Sequence, residues 1–432
     1  MTTNKELLSI REANTPRGVA TQTNIFADKA RNAEIWDVEG NHYIDLAAGI
    51  AVVNTGHNHP AVVGAVKKQL ERFSHTCFQV APYDVYVQLA ERLNELAPGD
   101  SPKKTIFLTT GAEAVENAVK IARRHTERSG IIAFSGAFHG RTMMGMALTG
   151  KVVPYKVGFG PFPAEVFHVP FPIEYHGISI DDSLDALATL FKSDVEPSRI
   201  AAMIIEPVQG EGGFYPAPPG FLKQLRAICD EHGIVLIVDE IQTGFGRTGT
   251  MFACEQSGIE PDLMPIAKSL AGGFPLSGVI GKADIMDAVP PGGLGGTYGG
   301  SAIACAAGLA VLDVIEKQKL CDKAQAIGQQ IGEWASELQK SKNCIGHVRI
   351  TGAMSAIELV KNGNAEEPDA DLTRAIAADV LTEGVLLLTC GVRGNVIRFL
   401  PPLTIEPELM AKALSIVGNV IGKLTDNVRK AS

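Results

Sequence analysis

The feature that most constrains the fold is an alternation of short apolar runs with helical patterns through the middle of the chain. The runs are bounded by turn residues and occupy positions 105–109, 131–134, 201–206, 234–240, 263–267 and 277–281. Between two of them, residues 221–233 place apolar side chains at helical spacing and end on a glycine. Buried strands that alternate with helices predict parallel strands joined by helical crossovers, and therefore an α/β core.

The pattern changes towards both ends of the chain. From about residue 302 it predicts two long helices, then strands near 346–359, 385–389 and 396–399, and then a helix from 406. Near the N-terminus, residues 36–52 predict a hairpin around Glu39–Gly40, which cannot form a core alone. We therefore expect an N-terminal segment (1–58) that packs with a small domain, a large domain (59–315) and a C-terminal small domain (316–432).

Length and charge limit the classes of function. A chain of 432 residues exceeds the ~100–200 residues of one domain. Its net charge of −9 is spread along the sequence, which argues against a nucleic-acid partner and leaves any anionic ligand to local arginines. No apolar run approaches the roughly 18 residues of a membrane span, so we expect a cytoplasmic protein.

Cysteine and histidine positions do not predict a metal site. The seven cysteines are widely spaced and include no Cys-x-x-Cys pair, so neither a disulfide framework nor a zinc site is indicated. His57 and His59 have no third ligand nearby in sequence. We therefore expect no metal.

A candidate phosphate site lies in the stretch TTGAEAVENAVKIAR, residues 109–123. A strand ends at Thr109–Thr110, and Gly111 and Ala112 open a helix. The first turn of a helix leaves backbone N–H groups unpaired at its positive end, which suits an anion at the carboxyl edge of a parallel sheet. Gly111 lets the backbone approach the anion and Ala112 adds no bulk, although many such junctions are only tight turns.

Two further residues complete a recognisable combination. Asp239 ends a buried strand, where a carboxylate is costly without a partner, although a helix cap or salt bridge would also explain it. Lys268 follows another buried run, and apolar surroundings lower the pKa of a lysine and make it a nucleophile towards carbonyls. A phosphate site, a carboxylate and a lysine are what pyridoxal phosphate requires: Lys268 would form the Schiff base and Asp239 would keep the ring nitrogen protonated.

With these residues in place, the sequence resembles the fold type I, class III aminotransferases, most closely the bacterial 4-aminobutyrate (GABA) aminotransferases. The resemblance covers nearly the whole chain, through PRGV (16–19), NTGHNHP (54–60), AFSGAFHGRT (133–142), IEPVQGEGG (205–213), GGLGGTYGG (292–300) and VIRFLPPLT (396–404). It implies a large, mainly parallel-sheet domain and a smaller α+β domain formed by both termini. It also implies a homodimer with a shared active site, and leaves pairing into a tetramer open.

The resemblance assigns further residues to the cofactor. Phe138 would stack on one face of the ring and Ile241 would pack on the other, while Gln242 would hydrogen-bond the ring hydroxyl. Thr297 would reach the phosphate of the neighbouring subunit. The adjacent His139 receives no role, because Lys268 is available as a base.

The resemblance also assigns the substrate contacts. Arg141 would bind the distal carboxylate, and Arg398 would bind the α-carboxylate of glutamate or 2-oxoglutarate. Glu211 would pair with Arg398 while GABA is bound, and Ile50 would form an apolar wall beside the substrate. The implied reaction transfers the amino group of GABA to 2-oxoglutarate, giving succinic semialdehyde and glutamate by double displacement.

Some alternatives stay open at this point. 5-Aminovalerate has one extra methylene, which discriminates by only roughly 1–3 kcal/mol. Acetylornithine and ornithine aminotransferases share the cofactor motifs, and an aminomutase shares the lysine and the aspartate but needs no external keto acid. A non-enzymatic role for the cofactor is disfavoured by the presence of both Lys268 and Asp239. The chain departs from the usual family pattern at Ala112 (Ser), Phe138 (Tyr) and Phe245 (a small residue).

Overall fold

The N-terminal part of the chain forms a small antiparallel unit followed by helices. The computed structural model describes residues 2–431, with side chains up to residue 426. The elements are α1 (Asn4–Asn14), β1 (Ala27–Arg31), β2 (Glu34–Asp37), β3 (His42–Asp45), the single turn α2 (Ala48–Ala51), α3 (Pro60–Arg72) and α4 (Asp84–Leu96). Strands β2 and β3 pair antiparallel around Gly40, whose φ is +85°. The predicted hairpin is confirmed.

The middle of the chain forms a seven-stranded sheet flanked by helices. Its elements are β4 (Lys103–Leu108), α5 (Gly111–Thr126), β5 (Gly130–Phe134), α6 (Met143–Leu148), β6 (Val166–Val169), α7 (Ile180–Ser193), β7 (Ile200–Ile205), β8 (Val208–Gln209), α8 (Gly210–Gly213), β9 (Tyr215–Pro216), α9 (Pro219–His232), β10 (Val235–Val238), β11 (Leu263–Ile266), β12 (Ser277–Lys282) and α10 (Ala283–Met286). The strand order is β4-β12-β11-β10-β7-β5-β6. The pairs from β11 to β6 are all parallel, so the predicted α/β core is confirmed.

One strand of this sheet runs against the prediction. β12 pairs antiparallel with both β4 and β11, so the expectation that residues 277–281 form a parallel strand was wrong. Only residues 267–276 separate β11 from β12, and a parallel return needs a dozen or more residues. The sequence pattern also missed β6, a short edge strand in which only Val169 is fully buried.

The crossover helices show why the apolar pattern was informative. In α9 the buried residues Phe221, Leu222, Leu225 and Cys229 recur at helical spacing and face the sheet. The helix stops at Gly233, which adopts a left-handed conformation with φ +62°. Both the helix and its end therefore follow the prediction for residues 221–233.

The C-terminal part contains a second sheet. Its elements are α11 (Ala302–Lys317), α12 (Leu320–Ser341), β13 (Ile345–Thr351), β14 (Met354–Lys361), β15 (Asn364–Pro368), α13 (Ala370–Thr382), β16 (Val385–Leu386), β17 (Leu388–Cys390), β18 (Val396–Phe399) and α14 (Pro407–Ala431). The two long helices and the final helix match the prediction. Strands β13, β14, β18 and β17 form an antiparallel sheet, with β15 added to β14.

The two ends of the chain share one sheet. β16 pairs parallel with β3, which gives the order β1-β2-β3-β16. The division of the chain at residues 58 and 315 stays a prediction, and its outermost residues, 1 and 432, lie outside the described part. Within residues 2–431, no helix is both long and apolar enough to cross a membrane.

Candidate active site

A cavity of about 570 Å³ opens where the parallel strands end. Asp239 follows β10 and Lys268 follows β11, so both lie at the carboxyl edge of the sheet, where α/β proteins bind their ligands. The lining includes seven of the residues predicted to hold a cofactor: Gly111, Ala112, Phe138, Asp239, Ile241, Gln242 and Lys268.

The predicted substrate residues lie at the same cavity, whereas one predicted cofactor residue lies elsewhere. Ile50, Arg141 and Glu211 line it, and Arg398 lies beside it in direct contact with Glu211. Thr297 lies in an exposed loop and is not part of this lining. Its predicted contact across a dimer stays a prediction.

The N-terminus of α5 supplies the candidate phosphate site. A capping box closes the first turn: Glu113 N donates to Thr110 Oγ1 at 3.3 Å, and Thr110 N donates to Glu113 Oε2 at 2.8 Å. Gly111 and Ala112 line the cavity, and backbone N–H groups in the first turn of a helix have no partner within the helix. A Cβ atom at Gly111 would lie 3.1 Å from Ile241 Cδ1, so glycine lets Ile241 approach the helix end.

Asp239 is almost fully buried and has two hydrogen-bond donors. His139 Nδ1 lies 2.8 Å from Asp239 Oδ2, and Ile241 N donates to Asp239 Oδ1 at 3.0 Å. The His139 side chain is itself 0% exposed. Asp239 therefore has the partner that its burial requires, and this partner holds the carboxylate in a fixed orientation at the cavity.

Lys268 begins a 3₁₀ turn, Lys268–Ala271, with a left-handed backbone at φ +46°. Ile50 has φ +67°, which is strained for a β-branched residue. Such conformations cluster at functional sites, because the surrounding fold must hold them. Burial lowers the pKa of Lys268, against the opposing effect of Asp239 and Glu211, which increases the fraction of neutral amine at neutral pH.

The remaining lining fits a flat heteroaromatic ring. Phe138 and Ile241 offer apolar surface, and Gln242 Oε1 is buried without a hydrogen-bond partner in residues 2–426. A Cβ atom at Gly210 would lie 2.3 Å from Gln242 Oε1, so Gly210 makes room for this amide. An unpaired acceptor, a free helix end, a fixed carboxylate and a lysine of lowered pKa are together what pyridoxal phosphate requires.

Arg398 and Glu211 form a buried ion pair. Arg398 donates to Glu211 Oε1 at 2.6 Å, and the two side chains are 5% and 19% exposed. Burial raises the pKa of Glu211, but Arg398, together with Lys268 and Tyr155, outweighs this effect and holds that pKa below its ordinary value. Burial lowers the pKa of Arg398, and Glu211 more than offsets it. Arg398 Nε is buried and has no hydrogen-bond partner within the described residues, which leaves one donor of this guanidinium unused.

Arg141 lies at the cavity against an aromatic ring. Its guanidinium carbon is 4.8 Å from the centroid of the Tyr155 ring, and the Tyr155 hydroxyl donates to Glu211 Oε2 at 3.2 Å. Sequence reasoning missed Tyr155, because the loop KVVPYKVGFG (151–160) contains no local pattern that marks a site. Its proximity to Glu211 arises only from the fold.

Glu206 is a second residue that sequence reasoning missed. It follows β7, lines the cavity and accepts hydrogen bonds from Phe138 N at 3.1 Å and Gly210 N at 3.0 Å. Burial raises the pKa of Glu206 to about 7. A carboxylate at the end of the buried run 201–206 was the signal that could have found it. In contrast, Phe245 does not line the cavity: it is fully buried and packs edge-on against Phe252.

Comparison with known proteins shows the family of the chain. Residues 16–421 match the family described as Aminotransferase class-III. The chain is 54% identical over 422 residues to the 5-aminovalerate aminotransferase DavT of Pseudomonas aeruginosa, covering 98% of this chain and 99% of that protein. It is 55% identical over 417 residues to the 4-aminobutyrate aminotransferase GabT of Escherichia coli, covering 96% and 98%.

Solved structures share the whole fold. The ornithine aminotransferase of Toxoplasma gondii matches with a TM-score of 0.88 and 29% identity, covering 99% of this chain and 97% of that one. An aminotransferase of Bacillus anthracis matches with a TM-score of 0.91 and 27% identity, covering 98% and 100%. The fold class expected from the sequence is therefore confirmed.

Proposed function

Because this chain belongs to the class III aminotransferases, we propose that it transfers the amino group of 4-aminobutyrate to 2-oxoglutarate, giving succinic semialdehyde and glutamate. It is a pyridoxal phosphate-dependent aminotransferase, like the rest of its family. The observation that carries the proposal is the Arg398–Glu211 pair at 2.6 Å, next to a cavity that also presents Arg141. This arrangement suits substrates with either one or two carboxylates.

The proposed cofactor contacts use residues that line the cavity. The amides of Gly111 and Ala112 would hold the phosphate, and Asp239, oriented by His139, would face the ring nitrogen. The buried Gln242 Oε1 would accept a hydrogen bond from the ring hydroxyl, with Phe138 and Ile241 on the two ring faces. We further propose that Thr297 completes the phosphate site of a second subunit, so that the dimer is the active form.

Lys268 is the residue that transfers the proton. When bound, the cofactor acts as an electron sink, which makes the C–H bond next to the substrate nitrogen breakable. The amine of Lys268 has a lowered pKa and faces the cavity, so its Nζ can accept the proton from that carbon. Glu206 and His139 are further titratable groups in the lining, but both are engaged in hydrogen bonds to neighbouring protein groups.

The two arginines explain how one site serves both half-reactions. GABA and glutamate each place a carboxylate three carbons from the carbon that bears the amine, so Arg141 can bind either. Only glutamate adds a carboxylate beside the amine, and that group would take Arg398 from Glu211. With GABA bound, Glu211 stays on Arg398 and avoids the cost of an unpaired buried cation.

A second candidate is 5-aminovalerate in place of GABA. Relatives named for that substrate are 54% and 55% identical to this chain, as near as the relative named for 4-aminobutyrate. One methylene in a pocket changes specificity by roughly 1–3 kcal/mol, so both substrates can fit one site at different rates. The contacts of Arg141, Arg398 and Glu211 are the same for either.

Steady-state kinetics with product analysis test the proposal. Varying GABA at several fixed concentrations of 2-oxoglutarate should give parallel double-reciprocal lines, with equal amounts of succinic semialdehyde and glutamate. Parallel assays with 5-aminovalerate, N-acetylornithine and ornithine rank the donors by kcat/KM. A higher kcat/KM for 5-aminovalerate would select the second candidate, and turnover without any keto acid would point to an aminomutase and overturn the proposal.

A further inference from the structure

Tyr155 connects the two substrate arginines. It lies in the loop after α6, is 7% exposed and lines the cavity. Its hydroxyl donates to Glu211 Oε2 at 3.2 Å, while the other oxygen of that carboxylate accepts from Arg398 at 2.6 Å. Glu211 is therefore held from two sides, and the second contact depends on one phenol.

The ring of the same side chain supports the other arginine. The Arg141 guanidinium carbon lies 4.8 Å from the ring centroid, within the range of a cation–π contact. Phe138 packs against the same ring, with centroids 4.9 Å apart and planes tilted by 54°. The hydroxyl of Tyr155 thus acts on Glu211, and its ring acts on Arg141.

We propose that Tyr155 is a positioning residue that sets the balance between monocarboxylate and dicarboxylate substrates. This inference rests on the proposed function, in which a dicarboxylate displaces Glu211 from Arg398. The displacement must break the Tyr155 hydrogen bond as well as the ion pair, whereas a monocarboxylate breaks neither. The hydroxyl therefore weakens dicarboxylate binding selectively, and the ring supports both classes equally through Arg141.

The protonation state of the phenol allows this role at every working pH. Burial, together with the charge of Glu211, raises the pKa of Tyr155 to about 12. The hydroxyl therefore stays protonated and remains a donor to the carboxylate. Hydrogen bonds to charged groups are stronger than those between neutral groups, which sets the expected effect on the order of tenfold in affinity.

Binding of two unreactive acids tests the inference without relying on turnover. Glutarate has two carboxylates and butyrate has one, and neither carries an amine. Isothermal titration calorimetry on the holoenzyme should show that Tyr155→Phe binds glutarate about tenfold more tightly, with butyrate affinity nearly unchanged. Tyr175→Phe is the matched control, because Tyr175 stacks on His347 and is not part of the cavity lining.

Two further variants separate the hydroxyl from the ring. Tyr155→Leu removes both, so butyrate should bind more weakly than in Tyr155→Phe while the glutarate preference of Tyr155→Phe is retained. In a Glu211→Ala background the hydroxyl has lost its acceptor, so Tyr155→Phe should no longer tighten glutarate. The half-reaction rates with glutamate and GABA should shift in the same direction as the two affinities.

The outcomes distinguish this inference from the proposed function. If wild-type protein binds both acids through Arg141 and Tyr155→Phe leaves their affinity ratio unchanged, the inference is wrong and the function stands. If glutarate tightens equally with and without Glu211, the hydroxyl does not act through that carboxylate and the inference is also wrong. If neither acid binds in the wild type, or Arg141→Ala changes neither affinity, the proposed function itself fails.

Discussion

Replacing Glu211 with glutamine tests the paired-arginine account at its most sensitive point. The substitution keeps the size of the side chain and its hydrogen bond from Tyr155 but removes the negative charge that faces Arg398. GABA would then close the cavity over an unneutralised guanidinium, whereas glutamate would bring its own α-carboxylate. We expect Glu211→Gln to lower kcat/KM for GABA and to preserve or raise it for glutamate.

The magnitude follows from the burial of the pair. The Arg398 side chain is 5% exposed and Glu211 is 19% exposed, at an N–O distance of 2.6 Å. Removing one partner of a buried pair costs about 3–5 kcal/mol. Because Glu211 keeps part of its surface exposed, we take the lower value, which corresponds to roughly a hundredfold change in the ratio of the two kcat/KM values.

Single-turnover measurements give this ratio directly. Each donor is mixed with the holoenzyme without keto acid, and the change in cofactor absorbance is followed at several donor concentrations. Glu337→Gln is the matched control, because that glutamate is 75% exposed and pairs with Lys340 on the surface. Equal slowing of GABA and glutamate by Glu211→Gln, or no change in either, would refute the reasoning.

Three further predictions concern single residues. Burial raises the pKa of Glu206 to about 7 in the folded protein, against an ordinary 4.5, so the stability of the cofactor-free protein should fall as the pH rises through this interval. In Glu206→Gln the melting temperature should lose this dependence between pH 5 and 8. Parallel curves of melting temperature against pH for the wild type and the variant would contradict the prediction. Ala112→Ser should strengthen the phosphate site by one hydrogen bond, about 1 kcal/mol, measured as a roughly fivefold lower cofactor dissociation constant; an unchanged constant would argue against phosphate at this helix end. Arg349→Met should remove the guanidinium that pairs with the buried Glu358, costing about 3 kcal/mol and lowering the melting temperature by several degrees. A shift below about one degree would show that His176 and the other donors to Glu358 suffice.

Much of the fold could be predicted because buried strands and helices require apolar residues at a characteristic spacing in the sequence. The run at 234–240 and the helix at 221–233 each carry a local signal that the structure confirms. The direction of β12 could not be read in that way, since its residues are as apolar as those of a parallel strand. Only the short connection after β11 decides that the chain returns antiparallel.

The candidate site likewise contains residues that the sequence could identify and contacts that it could not. Asp239, Lys268 and Gly111 could be identified because each ends a strand or opens a helix, and strand ends of one sheet converge. The partner of Asp239 is His139, 100 residues away in sequence, and the partner of Glu211 includes Tyr155, 56 residues away. Such contacts depend on packing between distant segments, and the sequence of neither segment indicates that the other is its neighbour.

Some features predicted from the sequence lie beyond a single subunit. Thr297 is exposed in the single subunit. The homodimer, a possible tetramer and the cytoplasmic location therefore stay predictions. Sedimentation of the holoenzyme, combined with Thr297→Ala and cofactor titration, tests the shared site: weaker cofactor binding without loss of the dimer is the expected result.

The most direct test of the central claim is an absorbance spectrum of the purified holoenzyme near neutral pH, with no keto acid present. GABA and glutamate, added separately, should each convert the bound cofactor to its amine form, because one cavity accepts both through Arg141 and Arg398. Lys268→Ala should block both conversions. If glutamate alone changes the spectrum, pairing of Glu211 with Arg398 does not let this site accept a monocarboxylate donor, and the account of the two arginines is wrong.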